Sequence, residues 1–413
     1  MKFTFADGET LGVYEDGKVQ RLESAYIHKY RENVLRDAKS REWKKKTDVM
    51  MSEEYYFEME DTSRVEWKIT GISPAVESDS VYYSFWVNET SAIYKKNVQD
   101  KEKTESHFLS SSDMDLSDIC LSDSGEIVGV VQTRQYASDI AVFSKNGGDY
   151  KCVTAGDSLD ENPSFTNDGK IVFNSYAVCR DGNNNFVGYM PSDIYRLDPV
   201  TMNAEPIISE RKLSYIKPVM DSKGRLYCIC KPDEKKEGNV LLDILLIPVR
   251  IVQAIVGFIA AFVTCFAQKP LVSGSTAKQL GDGETSKGKD GKKVMINNHL
   301  LNVEKQLQHN KKYAEGGFIP RSWKLLRIDP DENGVLENGT EYELAHGVAD
   351  FCLIEEDGEN RLVYTNGKHI FCVHDMGDNG KKEKLLNTDF CLQLGALCPV
   401  SQQDTDDGFF SNL

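Results

Sequence analysis

The chain has 413 residues, of which 40% are hydrophobic and 10% aromatic, enough to build a large core and to exclude global disorder. A formal net charge of −16, from 49 Lys and Arg against 65 Asp and Glu, argues against a nucleic-acid-binding face, which needs a surplus of cations. The ten cysteines include no Cys-x-x-Cys pair, and the first ten residues, MKFTFADGET, lack the apolar core of a signal peptide, so a reduced, cytoplasmic setting is expected.

Taken in chain order, residues 1–23 read as short strands separated by Asp-Gly turns. Residues 24–63 are helical in composition, with Tyr26, Ile27, Tyr30 and Val34 on one stripe, and are expected to pack on the rest as a lid. From 64 to 232 a unit recurs, a polar turn with Gly or Asp followed by alternating apolar residues. Its copies are SDSGEIVGVV at Ser122, TNDGKIVFNS at Thr166 and DSKGRLYCIC at Asp221, with EEDGENRLVYTN at Glu355 in the stretch 323–400 and a weaker VESDSVYYSFWV at Val76. Each has the form of the second strand of a hairpin, because Asp-Gly and Ser-Gly supply positive φ while the period of two gives one buried face. A first strand precedes each copy, as in LSDICLS at Leu116, IKPVMD at Ile216 and VADFCLIE at Val348. A third follows, as in SDIAVFSKN at Ser138, SDIYRLDP at Ser192 and WKLLRIDP at Trp323. Gly125, Gly169 and Gly224 are 44 and 55 residues apart, the period of a four-stranded propeller blade.

Five blades are visible in this way. TDFCLQLG at Thr388 looks like a first strand without followers, and residues 1–23 look like followers without a first strand, so the two ends are expected to make a sixth blade and remove both free sheet edges. The expected fold is all-β, a six-bladed β-propeller closed by N- and C-terminal strands, with two mainly helical insertions and a disordered tail at 401–413. The Asp-Gly hairpins and the SDIY and SDIA strands resemble the repeats of TolB-like and WD-repeat-like β-propeller proteins, over Met1–Glu23, Arg64–Pro232 and Trp323–Val400. That resemblance implies a ring and leaves the chemistry open, since propellers serve as scaffolds, ligand binders and enzymes.

The second insertion, 233–322, is expected to split the fourth blade between its second and third strands. It holds LLDILLIPVRIVQAIVGFIAAFVTCFAQKP, Leu241 to Pro270, which is apolar on all sides from Ile251 to Ala267 apart from Gln253. One crossing of a bilayer would put two strands of a single blade on opposite sides. Two crossings need about 40 apolar residues, and 240–267 supplies 28. The segment is therefore expected either to dip into one leaflet or to be buried against protein, a second copy included. Ile251, Val252, Ile255, Gly257, Phe258, Ala261, Phe262 and Phe266 are its candidate membrane- or partner-binding residues. A Gly, Ser and Lys linker follows, and NNHLLNVEKQLQHNKKYAEGG at Asn297 reads as a polar helix ended by Gly316 and Gly317.

No Walker loop, dinucleotide fingerprint, His-Glu-x-x-His or Gly-x-Ser-x-Gly occurs. DPDENG imitates the start of a calcium loop with Asp329, Asp331 and Asn333, but its twelfth position is Thr340, and a turn is expected instead. No catalytic, cofactor-binding or metal residue is assigned, and no cofactor is expected. Non-enzymatic scaffolding of protein–protein contacts is favoured over catalysis, with a membrane or an assembly held through the apolar insertion. The alternative is a ligand binder or enzyme working in the central channel, which a ring of perturbed ionisable groups there would favour.

Overall fold

The computed structural model describes residues 1–45, 65, 67–74, 80–99, 105–210, 212–232, 293–297, 299–313, 315–356, 359–374, 377 and 380–397. The chain opens with a meander of β1 (Lys2–Asp7), β2 (Thr10–Glu15) and β3 (Lys18–Leu22), and α1 (Ala25–Lys45) follows. Antiparallel runs of four strands then succeed one another, the second and third joined by a single parallel bridge, Ser138↔Leu159. The first is β4 (Trp67–Pro74), β5 (Ser80–Val87), β6 (Thr90–Asn97) and β7 (Glu105–Ser111). The second is β8 (Leu116–Leu121), β9 (Ile127–Arg134), β10 (Ala137–Phe143) and β11 (Tyr150–Cys152). The third is β12 (Ser158–Phe165), β13 (Ile171–Arg180), β14 (Phe186–Asp198) and β15 (Asn203–Ile208).

The next sheet is interrupted. β16 (Leu213–Met220) and β17 (Leu226–Pro232) are followed by the hairpin β18 (Lys293–Ile296) and β19 (His299–Asn302), then by α2 (Val303–Asn310). Only then come β20 (Lys324–Asp329), which pairs with β17 from Leu226↔Ile328 to Cys230↔Lys324, and β21 (Thr340–His346). The last run is β22 (Asp350–Glu356), β23 (Glu359–Thr365), β24 (Gly367–Val373) and β25 (Lys382–Ala396). Four-stranded antiparallel sheets taken in chain order make a β-propeller-type fold. The first strands β4, β8, β12 and β16 adjoin one another in that order, β22 adjoins β25, and β25 adjoins β4.

β25 belongs to two sheets. It pairs with β24 from Val373↔Lys382 to Gly367↔Cys391, with a shift between Gly367 and His369, and with β1 from Asp7↔Cys391 to Phe3↔Ala396, so Cys391 faces both. Asp7 Oδ1 accepts the amides of Asp389 and Phe390 at 3.0 and 2.8 Å, which fixes the crossover between the two pairings.

One turn recurs and explains why Gly follows the polar residues. At Ser122, Thr166, Asp221 and Asp331 the carbonyl accepts the amide of the glycine three residues on. Those glycines, Gly125, Gly169, Gly224 and Gly334, have φ of 83, 74, 75 and 80°. No atom lies within 4 Å of a Cβ placed at any of them, so the requirement is conformational rather than steric. The side-chain oxygen of the opening residue then accepts the amide four residues on, at 2.9, 3.1, 3.0 and 2.8 Å respectively.

Sheets pack face to face. Val128, Val130, Ile140 and Val142 of one meet Ile171, Phe173 and Leu197 of the next. α1 lies on the β4–β7 sheet as the stripe predicts, with the Tyr26 ring 5.6 Å from Phe85 and 5.3 Å from Tyr94, and Ile27 buried.

The second insertion differs from the expectation of a mainly helical segment. Among its described residues the helix starts at Val303, capped by Asn302, and residues 293–302 form a hairpin. Asn297, at φ 45°, makes the turn. The reason is burial: Ile296, Leu301 and Val303 enter the core with Trp323 and Phe318. At roughly 1.5–3 kcal/mol each, that outweighs the small helix propensity of so short a segment. The apolar stretch 240–267, with Ile251, Val252, Ile255, Gly257, Phe258, Ala261, Phe262 and Phe266, lies outside the described residues. No helix among the described residues is long and apolar enough to cross a membrane.

Deleting residues 387–413 removes the half of β25 that pairs with β1 and bares two sheet edges. The truncated protein should lose its single cooperative melt and aggregate, read by circular dichroism and size exclusion. A monomer melting like the parent would show that this pairing is dispensable.

Candidate functional site

The first strands of three successive sheets carry the same irregularity. Register shifts fall between Ser117 and Cys120, Glu161 and Ser164, and Ile216 and Val219. Within each bulge a non-glycine residue takes positive φ: Asp118 at 48°, Asn162 at 52° and Lys217 at 53°. Each such residue costs on the order of 1 kcal/mol, and strain of this kind gathers where a side chain must be aimed. Pro163 and Pro218 follow two of the three and hold the preceding residue away from helix.

The bulges bring charges together. Lys217 Nζ lies 3.1 Å from Asp350 Oδ1, joining β16 to β22. Asp350 also accepts the amides of Phe351 and Leu394, both at 2.8 Å. Asn174 on β13 ties two bulges, its Oδ1 accepting the Lys217 amide at 3.1 Å and Asn162 Nδ2 at 2.8 Å. Its Nδ2 donates to Ser192 Oγ at 3.2 Å. Asp118, Glu161 and Lys217 are half-buried where the first strands meet.

Electrostatics follows from that setting. Burial and then the Asp118 charge push Glu161 up to about 7, against the pull of Lys231 and Lys217. Burial also raises Asp118, opposed by Lys217. For Lys217, burial disfavours the ammonium, but Asp350, Asp118 and Glu161 outweigh it and hold its pKa above the ordinary value. Burial pushes Asp350 up, while the ammonium and two amides pull it back part of the way.

The insertion hairpin borders this cluster. Lys231 is fully buried, with Nζ 5.3 Å from the Tyr176 ring centroid and 5.2 Å from that of Trp323, and it donates to the Asn297 carbonyl of the hairpin turn. His299 meets Trp323 edge-on, and burial followed by the Lys231 charge lowers it to about 4, so it is neutral. Tyr189 packs against Tyr176 edge-on at 6.1 Å, and both feel the Glu161 charge.

A separate cleft of about 680 Å³ opens along the face of β12–β15. Its buried Asp160 already receives Ser175 Oγ at 2.6 Å, and Asp193 receives Ser209 and the Glu210 amide, so its acids are satisfied internally.

None of Asp118, Glu161, Asn162, Lys217, Lys231 and Asp350 stands out in the sequence. The signal was the alignment of first strands, which stacks Asp118, Asn162 and Lys217 and places a polar residue before proline in two of them. DPDENG is the fourth instance of the recurring turn: Asp331 occupies the place of Ser122 and Thr166, where no carboxylate is needed. Asp329 pairs with Arg327 at 2.8 Å. Cys228 and Cys230 are buried among apolar side chains. His374 pairs with Glu383 at 2.7 Å while His369 meets Phe371 edge-on, so they are not brought together.

No protein-family model and no curated protein sequence matches the chain. Among solved structures, TolB from Acinetobacter baumannii is similar at a TM-score of 0.47 and 10% identity, over 95% of this chain and 65% of that one. The tricorn protease is similar at a TM-score of 0.41 and 10% identity, over 93% of this chain and 29% of that one. A putative TolB from Agrobacterium tumefaciens is similar at 0.34 and 11% identity, over 79% and 82%. This chain spans less than two thirds of the length of the first two. The fold is of the TolB-like β-propeller type on the strand pairings above, and likenesses this distant say nothing of activity.

Two expectations follow. Because its folded pKa is raised, Glu161 contributes stability that is present below about pH 4.5 and lost as pH rises through about 7. Glu161→Gln should therefore gain roughly 2 kcal/mol over the parent at pH 8 and nothing at pH 4 in urea titrations, the figure discounted for solvent access. An equal effect at both pH values would mean Glu161 is not desolvated. Asp331→Ala should lose about 1–2 kcal/mol equally in calcium and in EDTA; a loss confined to calcium would make the turn a metal site.

Proposed function

We propose that the protein is a non-enzymatic, six-bladed propeller closed through β25, and that its central channel binds a small polar ligand. The observation that carries this is the line of strained polar residues, Asp118, Asn162 and Lys217, converging with Glu161 and Asp350 from four first strands. A ring held together only by packing gains nothing from three left-handed bulges and a half-neutralised carboxyl, whereas a ligand site does. No nucleophile with an adjacent base accompanies the cluster among the described residues, so binding is the better reading than catalysis.

A second reading, a scaffold held to a protein assembly or a membrane, is favoured by the outer face of the insertion hairpin. Met295 and Leu300 are cross-strand partners and are 61% and 62% exposed, while their neighbours Ile296 and Leu301 are buried. This apolar pair stands at the end of the insertion whose sequence contains the apolar stretch 240–267.

The two readings separate in one assay. Melting curves of the full chain with amines, carboxylates, sugars and phosphates should reveal one class that raises the midpoint saturably, and Asp118→Asn should abolish the rise. If no class does so, while Met295→Asp with Leu300→Asp frees the protein from the particulate fraction of its host cells, the scaffold reading replaces the channel reading.

A further inference from the structure

Charges in the channel cluster are unevenly committed. The Lys217 ammonium is spent on Asp350. Lys231 is spent on the Asn297 carbonyl and two aromatic rings. Asn174 is divided between Asn162, the Lys217 amide and Ser192. Asp118 and Glu161 have no ion-pair partner among the described residues; Glu161 takes a hydrogen bond from Asn174 and feels the Asp118 charge, and the Lys217 and Lys231 ammonium groups act on it from further off. Asp118 receives only Ser117 Oγ, at 3.4 Å, and the Asn162 amide.

Beside Glu161 stands Tyr176, 4% exposed, whose hydroxyl has no hydrogen-bond partner; Ser192 is near it without the geometry of a bond. An unpaired buried hydroxyl costs about 1–3 kcal/mol, so something should complete it. The Tyr176 and Tyr189 rings supply aromatic walls on the same side. Two carboxylates repel an anion. They are too few for a calcium ion, which takes six or more oxygens, and no three acidic, His or Cys side chains among the described residues are placed so that they could hold a metal ion.

We propose that Asp118, Glu161 and Tyr176 form a binding site for a primary ammonium group, so that the ligand of the channel is an amine. Three acceptor groups match the three N–H donors of an ammonium, and the aromatic walls favour a cation over a neutral hydroxyl compound. This rests on the reading of the channel as a ligand site and names the class of ligand.

The test is titration calorimetry of the full chain with 1,4-diaminobutane, succinate or calcium chloride, at pH 6 and pH 8. Diaminobutane should bind, and about tenfold more tightly at pH 8, because Glu161 ionises near 7 between Asp118, Lys217, Lys231, Tyr176 and Tyr189. Glu161→Gln should weaken it at least about tenfold at pH 8 and erase the pH dependence. Should that variant fail to fold, the pH dependence of the parent carries the same information. Binding of succinate or calcium but not of the diamine overturns the amine assignment and leaves the channel site standing. The same holds if all three fail and a sugar or phosphate raises the melting midpoint. Diamine binding that ignores both pH and Glu161→Gln also overturns it. Failure of every ligand class overturns both readings.

Discussion

A strand of fifteen residues must satisfy two sheets at once, and the remaining architecture depends on its doing so. β25 keeps β24 as far as Cys391, where Gly367 is its partner, and takes up β1 at the same residue, so the last sheet of the chain and the first share one backbone. Unpaired edges invite other chains, and this arrangement disposes of two of them without covering elements. The two ends of the chain are then fixed to each other, and the first strands β4, β8, β12 and β16 adjoin one another in that order, with β25 against β4.

The turns and the bulges are both repeated, and they tolerate substitution differently. At the recurring turn the opening residue is Ser, Thr, Asp or Asp, and any oxygen one or two bonds from Cβ serves. At the bulge the residues are Asp, Asn and Lys, which share only polarity and differ in charge. The turn is a backbone requirement met by several side chains. The bulge fixes a direction, and the side chain that uses it is set by something other than the fold.

That difference governs what could be read from sequence. Gly125, Gly169 and Gly224 announce the hairpins because positive φ at a turn is a local demand with a local signature. The pairing of Thr388–Gly395 with the N-terminal strands was legible because a first strand without followers is conspicuous once the unit is known. The hairpin at 293–302 was not legible, since Ile296 and Leu301 are buried by a surface, formed around Trp323 and Phe318, that no local window contains. Nor was the cluster: Asp118, Glu161, Lys217 and Asp350 are spread over 233 positions, and only the ring brings them together.

Two buried charge networks in this chain show by contrast what marks the cluster as more than structural. Under α1, Glu105 accepts Tyr83 Oη at 2.8 Å and Lys96 Nζ at 2.9 Å through one oxygen, and Ser24 Oγ and the Tyr26 amide, both at 3.2 Å, through the other. Both members of that ion pair are almost wholly buried, and every oxygen of the carboxylate is used. Such a network fastens the helix start to the sheet and has no capacity left for a ligand. At the bulges, one ion pair of the same kind holds Lys217 to Asp350, whereas Asp118 and Glu161 beside it are half-buried and have no ion-pair partner among the described residues. Burial raises the pKa of both carboxylates and so disfavours their charged forms in the folded chain, and Asp118 adds the cost of a left-handed backbone, so neither group is accounted for by the stability of the fold.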